Sequence, residues 1–433
     1  RWNLPARITT LHRHTPAVII LTGGIDDGAS LPLVETANSI ALACASWPES
    51  AKPEVIYAGN AVARPKIAEV IGDSARLRVT DNVRPRIGEE NLSPLERELE
   101  EIFVERRLQR LPGFGGLNAW ASRPILPTAT AFASSVRALS RHYALSALGV
   151  DLGGAATTMV VAAQEQFTRI VRSDLGLSHN IERVAEQAGL DNILRWLPLP
   201  MSRAAAQNRL ANKALRPNTL PESREELLLE QAVAREALRL SLQELRLRCG
   251  NFAGWKARLY EDLLPRFDLL VGAGGILTHA PHHSQAALLL LDALQPIGVC
   301  HLALDVGGLL PQLSLIASAQ PTAAAHLVER DGLAALGTAI CPVGSARKGD
   351  LVLTYKLTYD EQSGGGTVSG EVRAGEIEVL PLAPRQKARL ELHPSAGFDV
   401  GLGKRGRAAR TTVEGGSVGL LLDARGRPLV FPA

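Results

Sequence analysis

Residues 149–160 read Gly149-Val150-Asp151-Leu152-Gly153-Gly154-Ala155-Ala156-Thr157-Thr158-Met159-Val160. An apolar lead-in from Tyr143 runs into Asp151, glycines follow, then two threonines, and apolar residues resume through Ala163. This pattern predicts a strand, a tight glycine turn and a second strand. Such a turn exposes backbone N–H groups and hydroxyls beside a carboxylate. That combination can hold phosphate oxygens while the carboxylate positions a hydrated Mg²⁺. The plainer reading is a β-hairpin with glycines at positive-φ positions. The stretch lacks the G-K-[ST] ending of a P-loop and is not G-x-G-x-x-G.

About 120 residues further on, the apolar run Phe267 to Val271 ends in Gly272-Ala273-Gly274-Gly275, where glycines would let backbone approach a flat or charged ligand. Between the two turns, Gln164 to Val171 completes a hairpin, and Ile181 to Leu197 and Arg224 to Arg248 carry helical periodicity. The second helix has i,i+4 charge partners and reads as a solvated face. Ser284 to Leu294 reads as a helix. Cys300 to Asp305 reads as a strand, with Asp305-Val306-Gly307-Gly308 as a strand end.

Upstream, strands at Ala17–Leu21, Glu54–Ala58 and Leu77–Thr80 alternate with helices at Leu31–Ala45, Arg64–Ile71 and Ser93–Arg107. That alternation predicts a parallel sheet with crossover helices over residues 1–125. A Pro/Gly-rich link (Leu111–Pro127) and a helix (Thr128–Tyr143) lead into the Asp151 turn, which opens a region over 126–345. Beyond it, Leu351–Tyr359, Thr367–Val372, Glu376–Leu382 and Ala388–Leu392 read as short strands. Val418–Leu422 and Leu429–Phe431 read as a closing hairpin, so 346–433 is expected to be an all-β domain.

With 47 basic and 44 acidic residues the chain is too balanced to argue for nucleic acid. The apolar run around Ala286–Leu291 is broken by Asp292 and too short for a membrane span. Arg1–His14 lacks the apolar core of a signal peptide. Cys44, Cys249, Cys300 and Cys341 have no C-x-x-C spacing and read as reduced, mostly buried thiols. These features lead us to expect a cytoplasmic protein with no nucleic-acid or membrane partner. The start at Arg1, almost on a strand, reads as a fragment. His279, His282 and His283 form a short tract that reads better as a loop or helix start than as a zinc site. Asp26-Asp27, in a glycine turn, reads equally as turn chemistry or as a metal or partner contact.

The paired turns resemble those of the superfamily of sugar kinases, Hsp70 and actin. Within it, the chain is similar to the glutamate mutase accessory MutL family. Segments carrying the likeness include Leu21–Gly28, Tyr57–Asn60, Val79–Glu89, Asp151–Thr158, Ser173–Gly176, Val271–Gly275 and Leu420–Pro428. The resemblance implies an α/β fold: an actin-like, ribonuclease H-like ATPase lobe beside the α/β N-terminal region and the all-β C-terminal domain. It also implies ATP and Mg²⁺ as cofactors and a subunit of an adenosylcobalamin-dependent mutase as partner. The activity implied is that of a nucleotide-dependent reactivating chaperone.

On that likeness Asp151 would hold the Mg²⁺ shell. Gly153, Gly154, Thr157 and Thr158 would bind phosphate, and Gly272, Gly274 and Gly275 would line the adenosine. Two departures stand out. Ala156 and Thr158 replace the first Thr and the final Asp of the family's D-x-G-G-A-T-T-D turn, and its first phosphate turn, D-F-G-S-T-x-T-K, is absent from this sequence. The other half of the cleft is therefore expected to lie upstream or to be lost. A small-molecule kinase is the alternative, with Asp174 as the base. A scaffold without ATP turnover is the third.

Overall fold

The computed structural model describes residues 3–122, 125–163, 166–249, 263–360 and 365–429, and the chain divides into two compact units, 1–125 and 126–433. In the first, α1 (Leu4–His14) precedes β1 (Val18–Leu21), α2 (Leu31–Ala45), β2 (Glu54–Tyr57), α3 (Arg64–Ile71) and β3 (Arg76–Val79). Helices α4 (Ser93–Phe103) and α5 (Phe114–Trp120) follow. The strands form a parallel sheet in the order β1-β2-β3. β2 is central and wholly buried, as its apolar run requires. Ile40, Cys44, Val55, Tyr57, Ile67 and Ile71 fill the core beside it. Asn60 and Asn82, both buried, pin the loops at the carboxyl ends of the strands, donating to the Gly28 and Gly24 carbonyls. The helix α5 lies inside the stretch expected to be a link; its two glycines masked the signal.

The second unit begins with α6 (Thr128–His142), β4 (Ala147–Leu152), β5 (Thr157–Ala163) and β6 (Gln166–Arg172). Next come α7 (Ile181–Ala188), α8 (Leu190–Leu194), α9 (Arg203–Leu215) and α10 (Arg224–Cys249). Gly189, at φ +80°, splits the single helix expected over 181–197 into α7 and α8. β7 (Leu269–Ala273), α11 (Gly275–Thr278), α12 (His283–Leu294), β8 (Gly298–Leu304), α13 (Leu310–Ala319), α14 (Pro321–Leu327) and β9 (Ala334–Cys341) complete the lobe.

Five strands run β6-β5-β4-β7-β8, with β5 antiparallel to its neighbours and β4, β7 and β8 parallel. Numbered along the chain, that is the order 3-2-1-4-5 of a ribonuclease H-like lobe. Even-numbered residues of β4 join the core under α7 to α12; odd-numbered ones join Phe132, Val136 and Leu313 under α6 and α13.

The helix α10 corrects the sequence reading. It is not a solvated face but the central core helix, with Leu229, Val233, Leu238, Leu242 and Leu245 buried. Two of its charges, Arg235 and Glu236, are buried with it. Glu236, fully buried, accepts from Arg195 at 2.9 Å and from the Trp196 indole at 2.8 Å, and Arg235 donates to Asp292 at 2.7 Å. These partners come from other elements, which i,i+4 spacing cannot reveal.

The carboxyl-terminal strands are β10 (Leu351–Tyr359), β11 (Thr367–Arg373), β12 (Ile377–Leu380), β13 (Lys387–Pro394), β14 (Ala409–Glu414) and β15 (Leu420–Asp423). Four make an antiparallel sheet, β11-β10-β13-β14. β12 and β15 instead extend the lobe sheet through β9, and one core joins Leu357, Leu390 and Val413 to Ile340 and Leu422. Of the closing hairpin, residues 430–431 lie outside the described residues. All four cysteines are buried and unpaired. Among the described residues, no helix is long and apolar enough to cross a membrane.

Candidate functional site

The register of the sheet brings the two glycine turns together. Asp151 pairs with Thr158 on one side and with Ala273 on the other, at the carboxyl end of β4. The carboxyl ends of parallel strands are where open α/β sheets take ligands. Gly274 follows at φ +94°, and a Cβ there would lie 2.1 Å from the Leu152 carbonyl oxygen. Only glycine lets the second turn cross the first at this distance.

The 153–156 turn is built differently from the plain hairpin. Neither Gly153 nor Gly154 has positive φ. The Gly153 N–H donates to the Ala156 carbonyl, and the Gly153 and Gly154 carbonyls accept from the Leu177 and Ser178 N–H groups at 3.1 and 2.8 Å. A loop after β6 thus packs directly on the turn. A Cβ at Gly154 would stand 2.8 Å from the Ser178 hydroxyl, so close packing explains that glycine. Gly154 and Ala155 are exposed at the tip, and among the described residues their N–H groups have no protein partner. These two amides are the backbone donors left available at the tip of the turn.

The two threonines separate. The buried Thr157 hydroxyl donates to the Leu175 carbonyl, so it holds the loop rather than facing a ligand. Thr158 shares the face of Asp151, is 4 % exposed, and has no hydroxyl partner among the described residues. The Asp151 carboxylate is half-buried and likewise meets no donor there. Burial, followed by the nearby Asp305 charge, pushes its pKa up. A desolvated, unpartnered carboxylate fits a hydrated cation that would restore its missing charge balance.

Asp174 does not suit the role of base. Arg172 grips both its oxygens, at 2.8 and 2.7 Å, and Gln187 adds a bond at 2.8 Å. The Arg172 bonds lead in holding its carboxyl far below the usual range. A carboxylate so stabilised as the anion is a poor proton acceptor. It works as a clamp between the end of β6 and α7. Gly272 packs against Leu304, Leu277 and Leu290 in the core, whereas Gly275 faces open space beside His279.

His282 caps α12 and His283 meets the Ser417 hydroxyl at 2.7 Å, so the histidine tract is a helix start. In the first unit, Asp26 accepts from Asn82 and the Ala61 N–H, bonds that lower its pKa and mark it as a turn organiser. Sequence reasoning read Asp305 only as part of a strand end. Its backbone N–H continues the β7–β8 ladder to Gly272, which puts it on the Asp151 face, across Ala273. The signal was present in Asp305-Val306-Gly307-Gly308, but no threonine followed to raise it.

The 3-2-1-4-5 strand order gives the second unit the topology of a ribonuclease H-like lobe. The chain belongs to the MutL protein family, whose family model matches residues 4–332. It is similar to Protein MutL of Clostridium tetanomorphum, 23 % identical over an alignment of 289 positions that covers 61 % of this chain and 60 % of that protein. The chain therefore spans about 60 % of the length of that relative.

Among solved structures it is similar to nucleotide-free acetone carboxylase, at a TM-score of 0.25 and 11 % identity, covering 77 % of this chain and 60 % of that one. It is also similar to the ATP-dependent caprolactamase of Pseudomonas jessenii, at a TM-score of 0.26 and 13 % identity, with the same coverages.

Proposed function

We propose that this chain is a nucleotide-dependent accessory protein that assists an adenosylcobalamin-dependent mutase of the glutamate mutase type. Family membership supports the accessory role. The observation that carries the nucleotide reading is Asp151, a carboxylate that, like the Gly154 and Ala155 amides in the turn that follows it, has no hydrogen-bond partner among the described residues. In this reading the two amides take phosphate oxygens of ATP, and Asp151 orients the water shell of a Mg²⁺ ion. Bound Mg²⁺ would supply charge neutralisation on the phosphates, the main demand of phosphoryl chemistry. Gly275 leaves room for the nucleoside beside the phosphate turn. Ala156 offers no hydroxyl, so the amides and Thr158 carry the polar contacts on this side.

The kinase alternative loses its base, since Asp174 is locked by Arg172 and Gln187. A non-hydrolysing scaffold differs from the accessory ATPase only in turnover. The test is phosphate release from Mg-ATP with and without an inactivated cobalamin mutase. Release stimulated by the mutase and accompanied by recovered mutase activity supports the proposal. Recovery that needs no nucleotide would refute the nucleotide part of it.

A further inference from the structure

Asp305 lies in the same row as the candidate site, and nothing in the family likeness had singled it out. Thr158, Asp151, Ala273 and Asp305 occupy consecutive strands on one sheet face, at the carboxyl edge. Ala273, a small residue, occupies the strand between the two carboxylates. Asp305 is 1 % exposed, and its oxygens accept from the Leu309 and Leu310 N–H groups at 2.7 and 3.1 Å. Each carboxylate oxygen retains a lone pair beyond those bonds. Thr158, 4 % exposed and with no hydroxyl partner among the described residues, sits in register with Asp151 on the same row.

A buried and a half-buried carboxylate share one face with the Thr158 hydroxyl, and among the described residues no cationic side chain pairs with either. The nearest compensation for Asp305 is the amino end of α13, and for Asp151 there is none among the described residues. Burial raises the pKa of both, and Asp305 adds to the rise at Asp151.

Resting on the nucleotide reading above, we infer that Asp305 is a second carboxylate for the cation, acting with Asp151 and Thr158 through the water shell. Mg²⁺ and Mn²⁺ keep several waters and commonly take only one or two protein carboxylates. The site therefore needs no larger acidic cluster, and among the described residues there is none. Because Asp305 also caps α13, the cation is tied to that helix, which packs against α6. Cation binding at one edge of the sheet is thus linked to the α6–α13 layer.

The test is Mn²⁺ binding followed by electron paramagnetic resonance, with and without ADP, on the whole chain. Wild type is compared with Asp151→Asn, Asp305→Asn and Asp305→Ser. Asn and Ser still cap a helix but carry no charge, and thermal melts identify the folded variants. The inference expects Mn²⁺ affinity in the presence of ADP to fall at least about tenfold in either folded Asp305 variant, about 1.4 kcal/mol. Unchanged affinity in a folded Asp305 variant, with loss in Asp151→Asn, overturns the role of Asp305 and leaves the nucleotide reading intact. No Mn²⁺ binding by wild type, with or without ADP, overturns both.

Discussion

Gly274 crosses Leu152 so closely that a single added carbon would stand 2.1 Å from the Leu152 carbonyl oxygen. The turn after β7 is thereby seated on the turn after β4, and what the sequence spaces about 120 residues apart becomes one edge of a sheet. Gly274→Ala should separate them. At φ +94° the strain alone exceeds about 1 kcal/mol, and the overlap adds to it. A lowered Tm and weakened nucleotide binding, both measurable on purified protein, are the expected outcome.

Asp151→Asn should stabilise the protein while removing cation-dependent nucleotide affinity. The pKa of Asp151 is raised in the folded state, so its ionisation opposes folding. Above the raised pKa the Asn variant is the more stable. That advantage shrinks as pH falls through the folded-state pKa and is gone below the unfolded value near 3.8. Melting curves of both proteins across this window, without divalent cation, check the sign.

Thr157 and Thr158 should respond in opposite ways. Thr157→Val removes the bond to the Leu175 carbonyl and leaves that acceptor buried, at about 1–3 kcal/mol. It should leave nucleotide affinity nearly unchanged. Thr158→Val breaks no bond and should cost little stability but reduce affinity several-fold. Titration calorimetry with melting curves separates the two.

Glu236→Ala should be among the most destabilising changes in the chain. It removes the carboxylate shared by Arg195, Arg239 and the Trp196 indole inside the core. Breaking a buried pair costs about 3–5 kcal/mol, and the half-buried arginines favour the lower end. Denaturant unfolding gives the number directly.

The sequence was most legible where pattern and function coincide. Apolar runs of strand length located β1, β2 and β4, and the Asp151 and Gly272–Gly275 turns fell where the sheet brings them together. It was least legible where tertiary contacts decide the outcome. The charges of α10 read as solvent-facing because Glu236 and Arg235 find their partners on other elements. Thr157 and Thr158 look equivalent in a string, and only the alternation of faces in β5 separates an anchor from a candidate contact. Asp174 was named only as the base a kinase would need; its clamp by Arg172 and by Gln187 of α7 forms in the fold. Asp305 was read as a strand end, and its place beside Asp151 lies in the register of β7 with β8.

Calorimetric titration of the chain with Mg-ATP, run beside Asp151→Asn, bears most directly on the central claim. Saturable heat in the wild type that is lost in the variant is the predicted result. No heat at millimolar nucleotide, or equal affinity in both proteins, would contradict it.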